Sequence, residues 1–233
     1  MSDTNAATTT GTGVPELEWH VGEVLFDMDG TLIDSIAAVE DAWRTWAVAE
    51  EIDVPPGPTF HGRTAVDLVS SFLPPERVPE ALERLGILEQ NPRVPVLALP
   101  GAVELIAAIP AGRWAVVTSA TRAVALARLV AGGIPLPELL VTGDDVGRGK
   151  PDPEPYRSGR RWATDDAPAV AFEDTGAGLR SARAAGCLAV GVVGVATAEE
   201  LSAHADAVVA SLTDVHVAGW DNHGITLRLR AIK

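Results

Sequence analysis

The sequence predicts a doubly wound, mostly parallel α/β sheet with a helical domain inserted after its first strand. Short β-rich bursts at 23–26, 114–117, 139–141, 169–172 and 188–193 are apolar on both faces, as strands buried between two helical layers must be. Stretches with helical spacing, such as 122–130 and 178–185, separate them, so strand and helix alternate. After the first burst, some 65 residues pass with helices of their own and no convincing strand, far more than the dozen or so that a crossover needs.

In chain order, residues 1–13 are rich in Thr, Ala and Gly, with neither a basic head nor an apolar run. They do not read as a signal peptide, and residues 1–18 are expected to be a disordered lead-in. The first strand stops abruptly at Asp27-Met28-Asp29-Gly30. Residues 34–98 then read as the inserted domain, with helices at 36–50, 64–72 and 76–88 punctuated by Pro55-Pro56-Gly57-Pro58 and Pro74-Pro75. It leaves beside the carboxylates and returns near Pro100-Gly101, so it should lie over the strand ends as a lid. The α/β core is expected to comprise 19–33 and 99–233. Near its end, 207–209 reads as an edge strand, and the alternation at 225–229 reads as another.

A length of 233 residues suits one compact domain or a core with a smaller lobe, and 47% hydrophobic residues can fill a sizeable interior. The net charge of −14 repels a polyanionic backbone, which argues against nucleic acid, and an anionic substrate needs a local positive site. Cys187 is the single cysteine, so no disulfide forms within the chain. That fits a reducing compartment, and the residue reads as a small buried hydrophobe. No run of 18 apolar residues exists, and a cytoplasmic location follows as an expectation by elimination. There is no internal repeat and no coiled-coil seam, and a monomer is expected.

Four signals carry chemistry. Asp27 and Asp29 stand two apart at the end of a buried strand. Their mutual repulsion calls for a hard divalent cation with oxygen ligands, of which Mg²⁺ is the usual companion of phosphate. Gly30 allows the tight turn, and Thr31 follows. Thr118 and Ser119 end the second strand, where a hydroxyl and successive N–H groups can hold phosphate oxygens or simply cap a helix. Lys150 is fixed between Gly149 and Pro151 in a chain poor in lysine. Glu173 and Asp174 end the fourth strand before a Gly-rich turn, as a metal site or as a helix cap. Asp145, in the loop before the lysine, reads as structural.

The stretches FDMDGTLIDS, VVTSATR, GRGKPDPEPY and FEDTGAGLRSARAAGC resemble the haloacid dehalogenase-like (HAD) superfamily of phosphohydrolases, from about residue 20 to 210. The inserted helices resemble the α-helical cap of that family's first cap class. His61-Gly62-Arg63 and the PGAVELI run resemble its glycerol phosphate and sugar phosphate phosphatases. The resemblance implies a Rossmann-like core in which Asp27 attacks phosphorus. Asp29 would act as general acid and then base, for which its carboxyl should start protonated. Metal contacts would come from the Asp27 carboxylate, the Asp29 backbone carbonyl and Asp174, with Glu173 holding metal waters. Thr118, Ser119 and Lys150 would bind the phosphoryl group.

From the lid, Arg63 could bind substrate oxygens bidentately or be a solvated helix-start arginine, and His61 is the weaker candidate. Trp43, Trp46 and Trp114 read as packing residues.

The expected function is therefore Mg²⁺-dependent hydrolysis of a small phosphate monoester, a glycerol phosphate or a sugar phosphate, with phosphoglycolate also open. Dehalogenating relatives lack the second aspartate, and phosphonate-cleaving ones use a lid lysine that 34–99 does not contain. Sugar phosphomutases share the core but carry a lid histidine a few residues after the first motif, where Val39 or a neighbour stands here and no histidine occurs between His20 and His61, so a mutase is the alternative and hydrolysis leads. A purely binding role is disfavoured because every core position is filled.

Overall fold

The computed structural model describes residues 6–9, 15–53 and 64–232. The first elements are β1 (Ala6–Thr9), β2 (Pro15–Val21) and the buried strand β3 (Glu23–Phe26). A two-residue strand, β4 (Ile33–Asp34), leads into helices α1 (Ile36–Ala49), α2 (Ala65–Phe72) and α3 (Val78–Gln90). The chain comes back through β5 (Leu97–Ala98), antiparallel to β4. Strand and helix then alternate: α4 (Ala102–Ala108), β6 (Trp114–Val117), α5 (Arg122–Ala131), β7 (Leu140–Val141), α6 (Glu154–Gly159) and β8 (Ala169–Glu173). They continue with α7 (Gly176–Ala184), β9 (Leu188–Val192), α8 (Ala198–Ser202) and β10 (Ala207–Val209). A hairpin of β11 (Val215–Trp220) and β12 (Ile225–Arg230) comes last.

Six of these strands form a parallel sheet in the order β10-β9-β8-β3-β6-β7. The first strand of the sheet lies inside it, between β8 and β6, so the carboxyl ends of all three lie side by side. Successive residues of a strand point to opposite faces. Val24 and Phe26 accordingly enter one apolar cluster, while Leu25 enters the other. Phe26 stacks on Phe172 at 5.4 Å and meets Trp114 edge-on. Cys187 is buried, and burial pushes its thiol up to about 12.

The inserted helices have an interior of their own, built on Trp43, Trp46, Leu68, Val69 and Leu85. The Trp46 indole N–H donates to the Ala81 carbonyl at 2.9 Å and ties α1 to α3. Glu50, at the end of α1, is buried between Arg77 and Arg84 at 2.8 and 2.6 Å.

Three expectations need correction. The disordered lead-in cannot extend to residue 18, because Pro15–Val21 is a strand whose Leu17, Trp19 and Val21 alternate inward, and Ala6–Thr9 pairs with it. The strand at the far end belongs to a second sheet, antiparallel, in the order β1-β2-β12-β11. Its inner residues Ile225, Leu227 and Leu229 join the cluster that holds Phe26. The region 34–99 also contains one short strand, β5, which with β4 forms the two-stranded link between the core and the inserted helices.

Candidate active site

Asp27 follows β3, Thr118 and Ser119 follow β6, and Glu173 closes β8, so adjacency in the sheet gathers residues far apart in sequence. Lys150 reaches the same place from the loop after β7. Its Nζ donates to Asp27 Oδ1 at 2.6 Å, to Glu173 Oε1 at 2.5 Å and to the Val117 carbonyl at 3.0 Å. Burial opposes the charge on Lys150, but Asp27 and Glu173 outweigh it and hold the ammonium above its ordinary range.

Two glycines make this crowding possible. Gly30 turns at φ 85°, where a Cβ would stand 2.1 Å from Asp174 Oδ2. At Gly178, in the first turns of α7, a Cβ would meet Glu173 Cδ at 1.9 Å. Both positions require the bare backbone.

Asp27, Glu173 and Asp174 bring oxygens within 4.8 Å of one another, all buried. Burial first, and then the Glu173 charge, push Asp27 up to about 7 against the pull of Lys150. Asp174 is pushed well above the carboxylate range by burial and by Asp27. Glu173 is saturated by Lys150, by the Tyr156 hydroxyl at 2.8 Å and by the Thr175 hydroxyl at 3.0 Å. Asp174 Oδ2, by contrast, is buried with no hydrogen-bond partner. An unpaired oxygen beside excess buried negative charge fits a divalent cation, since a hard cation with oxygen ligands relieves both.

One cavity is lined by Asp27, Asp29, Thr118, Ser119, Lys150 and Asp174, so the structure brings these expected residues together. Glu173 sits behind Lys150. His61 and Arg63 lie outside the described residues. Asp145 accepts from Thr142 and from Arg122 at 2.6 Å, as a loop cap does. Trp46 and Trp114 pack in the two interiors, whereas Trp43 also forms part of the cavity wall.

The sequence reading missed what holds Asp29. The Ser35 hydroxyl donates to its Oδ1, and Arg128 pairs with its Oδ2 at 2.9 Å. Arg128 is buried and also pairs with Glu89 of α3 at 2.9 Å. A signal existed: Arg128 shares a helical face with Val124 and Ala125, both buried, and an arginine on an apolar face must find carboxylates.

A family model for haloacid dehalogenase-like hydrolases matches residues 24–186, the span that holds all of these groups. The chain belongs to the haloacid dehalogenase-like hydrolases. This hydrolase is 35% identical to hexitol phosphatase A of Escherichia coli (strain K12), over 88% of its own length and 97% of the relative's. It is 31% identical to glycerol-1-phosphate phosphohydrolase 2 of Saccharomyces cerevisiae, over 88% of each chain. Among solved structures it resembles CbbY from Rhodobacter sphaeroides in complex with phosphate. There the TM-score is 0.67 and the identity 27%, covering 83% of the hydrolase and 96% of CbbY. No helix among the described residues is long and apolar enough to cross a membrane.

Proposed function

We propose that this phosphoric monoester hydrolase cleaves a small glycerol phosphate or sugar phosphate through a phosphoryl group carried on Asp27, with Mg²⁺ bound beside it. The observation that carries the proposal is the buried meeting of Asp27, Lys150 and Asp174 at the ends of adjacent strands. Asp27, Asp174 and the Asp29 backbone carbonyl would hold the cation, with Glu173 behind them. When bound, it supplies the positive charge that lets these carboxylates ionise together and offsets the charge of the phosphate.

An Asp27 oxygen forms a bond to phosphorus as the ester P–O bond breaks. Asp29, entering this step protonated beside Arg128, gives its proton to the departing alkoxide oxygen. Water then attacks phosphorus, Asp29 takes its proton, and the bond to Asp27 breaks to release phosphate. Lys150 keeps Asp27 oriented and balances charge in both steps, while Thr118 and the backbone at Ser119 hold phosphoryl oxygens in the loop between β6 and α5. The inserted helices would act as the lid, because Val39, Trp43, Ala65 and Glu89 from them complete the cavity wall.

The names of the relatives support polyol and sugar phosphates as the substrate class. Val39, at or beside the place of the phosphomutase histidine, lines the cavity, and no histidine does so among the described residues. Both points favour hydrolysis over isomerisation. The test is phosphate release from glycerol 1-phosphate and sorbitol 6-phosphate in Mg²⁺. We expect EDTA to abolish it and Asp27→Asn to lower kcat by at least ~10³-fold. Activity retained by Asp27→Asn would refute the covalent route.

A further inference from the structure

The cavity has two ends of different character. At the phosphate end, Lys150 is shared by Asp27 and Glu173. At the other end, where the leaving group must lie, the wall is made by Asp29, Val39, Trp43, Glu89 and Arg128. Arg128 comes from α5 of the core and Glu89 from α3 of the inserted helices, so this wall forms only where the two parts meet.

Its charges are already spent on one another. One guanidinium nitrogen of Arg128 bonds Asp29 and another bonds Glu89, each at 2.9 Å, and the side chain of Arg128 is only 4% exposed. The Trp43 indole N–H donates to Glu89 and fixes it further. Burial raises Glu89 from its ordinary range, while Arg128 pulls it back toward the ionised form. Two acidic side chains share one guanidinium, so among the described residues this end of the cavity has no unpaired cation to offer.

We propose that Glu89 is a specificity-determining residue: by engaging Arg128, it rejects phosphate esters whose leaving group carries a negative charge of its own. Neutral leaving groups rich in hydroxyls meet no such penalty, since a hydroxyl can donate to a carboxylate or accept from a guanidinium edge. A carboxylate or second phosphate would have to lie beside Glu89 in a site shielded from water, where like charges repel strongly. This inference rests on the phosphatase reading above and narrows its substrate class.

The experiment compares kcat/KM for glycerol 1-phosphate and 2-phosphoglycolate in the wild type and in Glu89→Gln. Glutamine keeps the shape and a hydrogen-bond acceptor while removing the Glu89 charge, which leaves Arg128 shared with Asp29 alone. The wild type should prefer glycerol 1-phosphate, and Glu89→Gln should shift the ratio toward phosphoglycolate by about tenfold or more. A change in packing alone would lower both values and leave their ratio in place. An unchanged ratio, or a wild type that favours phosphoglycolate, overturns the proposal.

If Glu89→Gln does not fold, calorimetry on the wild type in Mg²⁺ decides. Phosphonoacetate should bind no more tightly than methylphosphonate, and tighter binding of phosphonoacetate overturns the proposal. Should the wild type hydrolyse no ester at all, the phosphatase reading fails, while the calorimetric comparison, repeated in Glu89→Gln, still tests Glu89 on its own.

Discussion

Asp174 shows how much chemistry hangs on one atom. Its Oδ2 is buried without a partner and faces a backbone that has no Cβ. Gly30→Ala would drive a methyl into that oxygen and strain the turn at positive φ. Cation affinity, read as the Mg²⁺-induced shift in melting temperature, should fall about tenfold or more, and activity with it. Asp27 supplies a second prediction. Because its carboxyl is raised to about 7, the cation-free fold favours the protonated form. That stabilisation is complete below the ordinary carboxylate range and is lost as pH rises through about 7. Protons and cation therefore compete, and Mg²⁺ should bind about tenfold more weakly near pH 6 than near pH 8. Titration calorimetry at the two pH values checks this, and affinity independent of pH would contradict it. The reactive positions were legible in the sequence because each sits at the end of an apolar burst or in a Gly- or Pro-bounded loop, which are local signals. Arg128 and Glu89 were not read, because their pairing depends on how α3 packs over α5, a contact that no local spacing displays.

At the scale of elements, helix spacing in 36–50, 64–72 and 76–88 was enough to foresee α1, α2 and α3, with their ends shifted by one or two residues. What spacing did not reveal was that β4 and β5 pair, since two-residue strands carry no periodicity. The helices share an interior separate from that of the sheet, and Trp46 lies at its centre, fully buried and bonded to Ala81. Trp46→Ala should destabilise this unit by about 3–5 kcal/mol. Because the cavity wall depends on α1 and α3, KM should rise in the same variant. Thermal unfolding followed by tryptophan fluorescence, beside steady-state kinetics, measures both.

Across the whole molecule, the parallel sheet was readable from its apolar bursts, whereas the second sheet was not. The stretch 15–21 alternates Leu17, Trp19 and Val21 with polar residues, which is a strand signal, but its first half runs on from a polar lead-in that masks the alternation. The second sheet covers one face of the core, with Leu227 fully buried beside Trp19. Leu227→Asp buries a charge with no partner in that cluster, and we expect it to lower global stability by more than about 3 kcal/mol. Mg²⁺ should stabilise the variant and the wild type alike and leave the difference between them in place, because Leu227 belongs to the second sheet and takes no part in the proposed cation site. Chemical denaturation with and without Mg²⁺ measures the loss.

The pairing of β2 with β12 also bears on how the protein is made. These neighbours in space are separated by roughly 200 residues of intervening chain, a strongly non-local contact. On a ribosome adding ~5–20 residues each second, β2 emerges ~10–40 s before the strand it will hydrogen-bond. Through that interval Trp19 and the apolar side chains beside it lack the cover that β12 provides. A nascent chain stalled before residue 225 should therefore draw chaperones that grip exposed apolar segments, and one released past residue 230 should shed them.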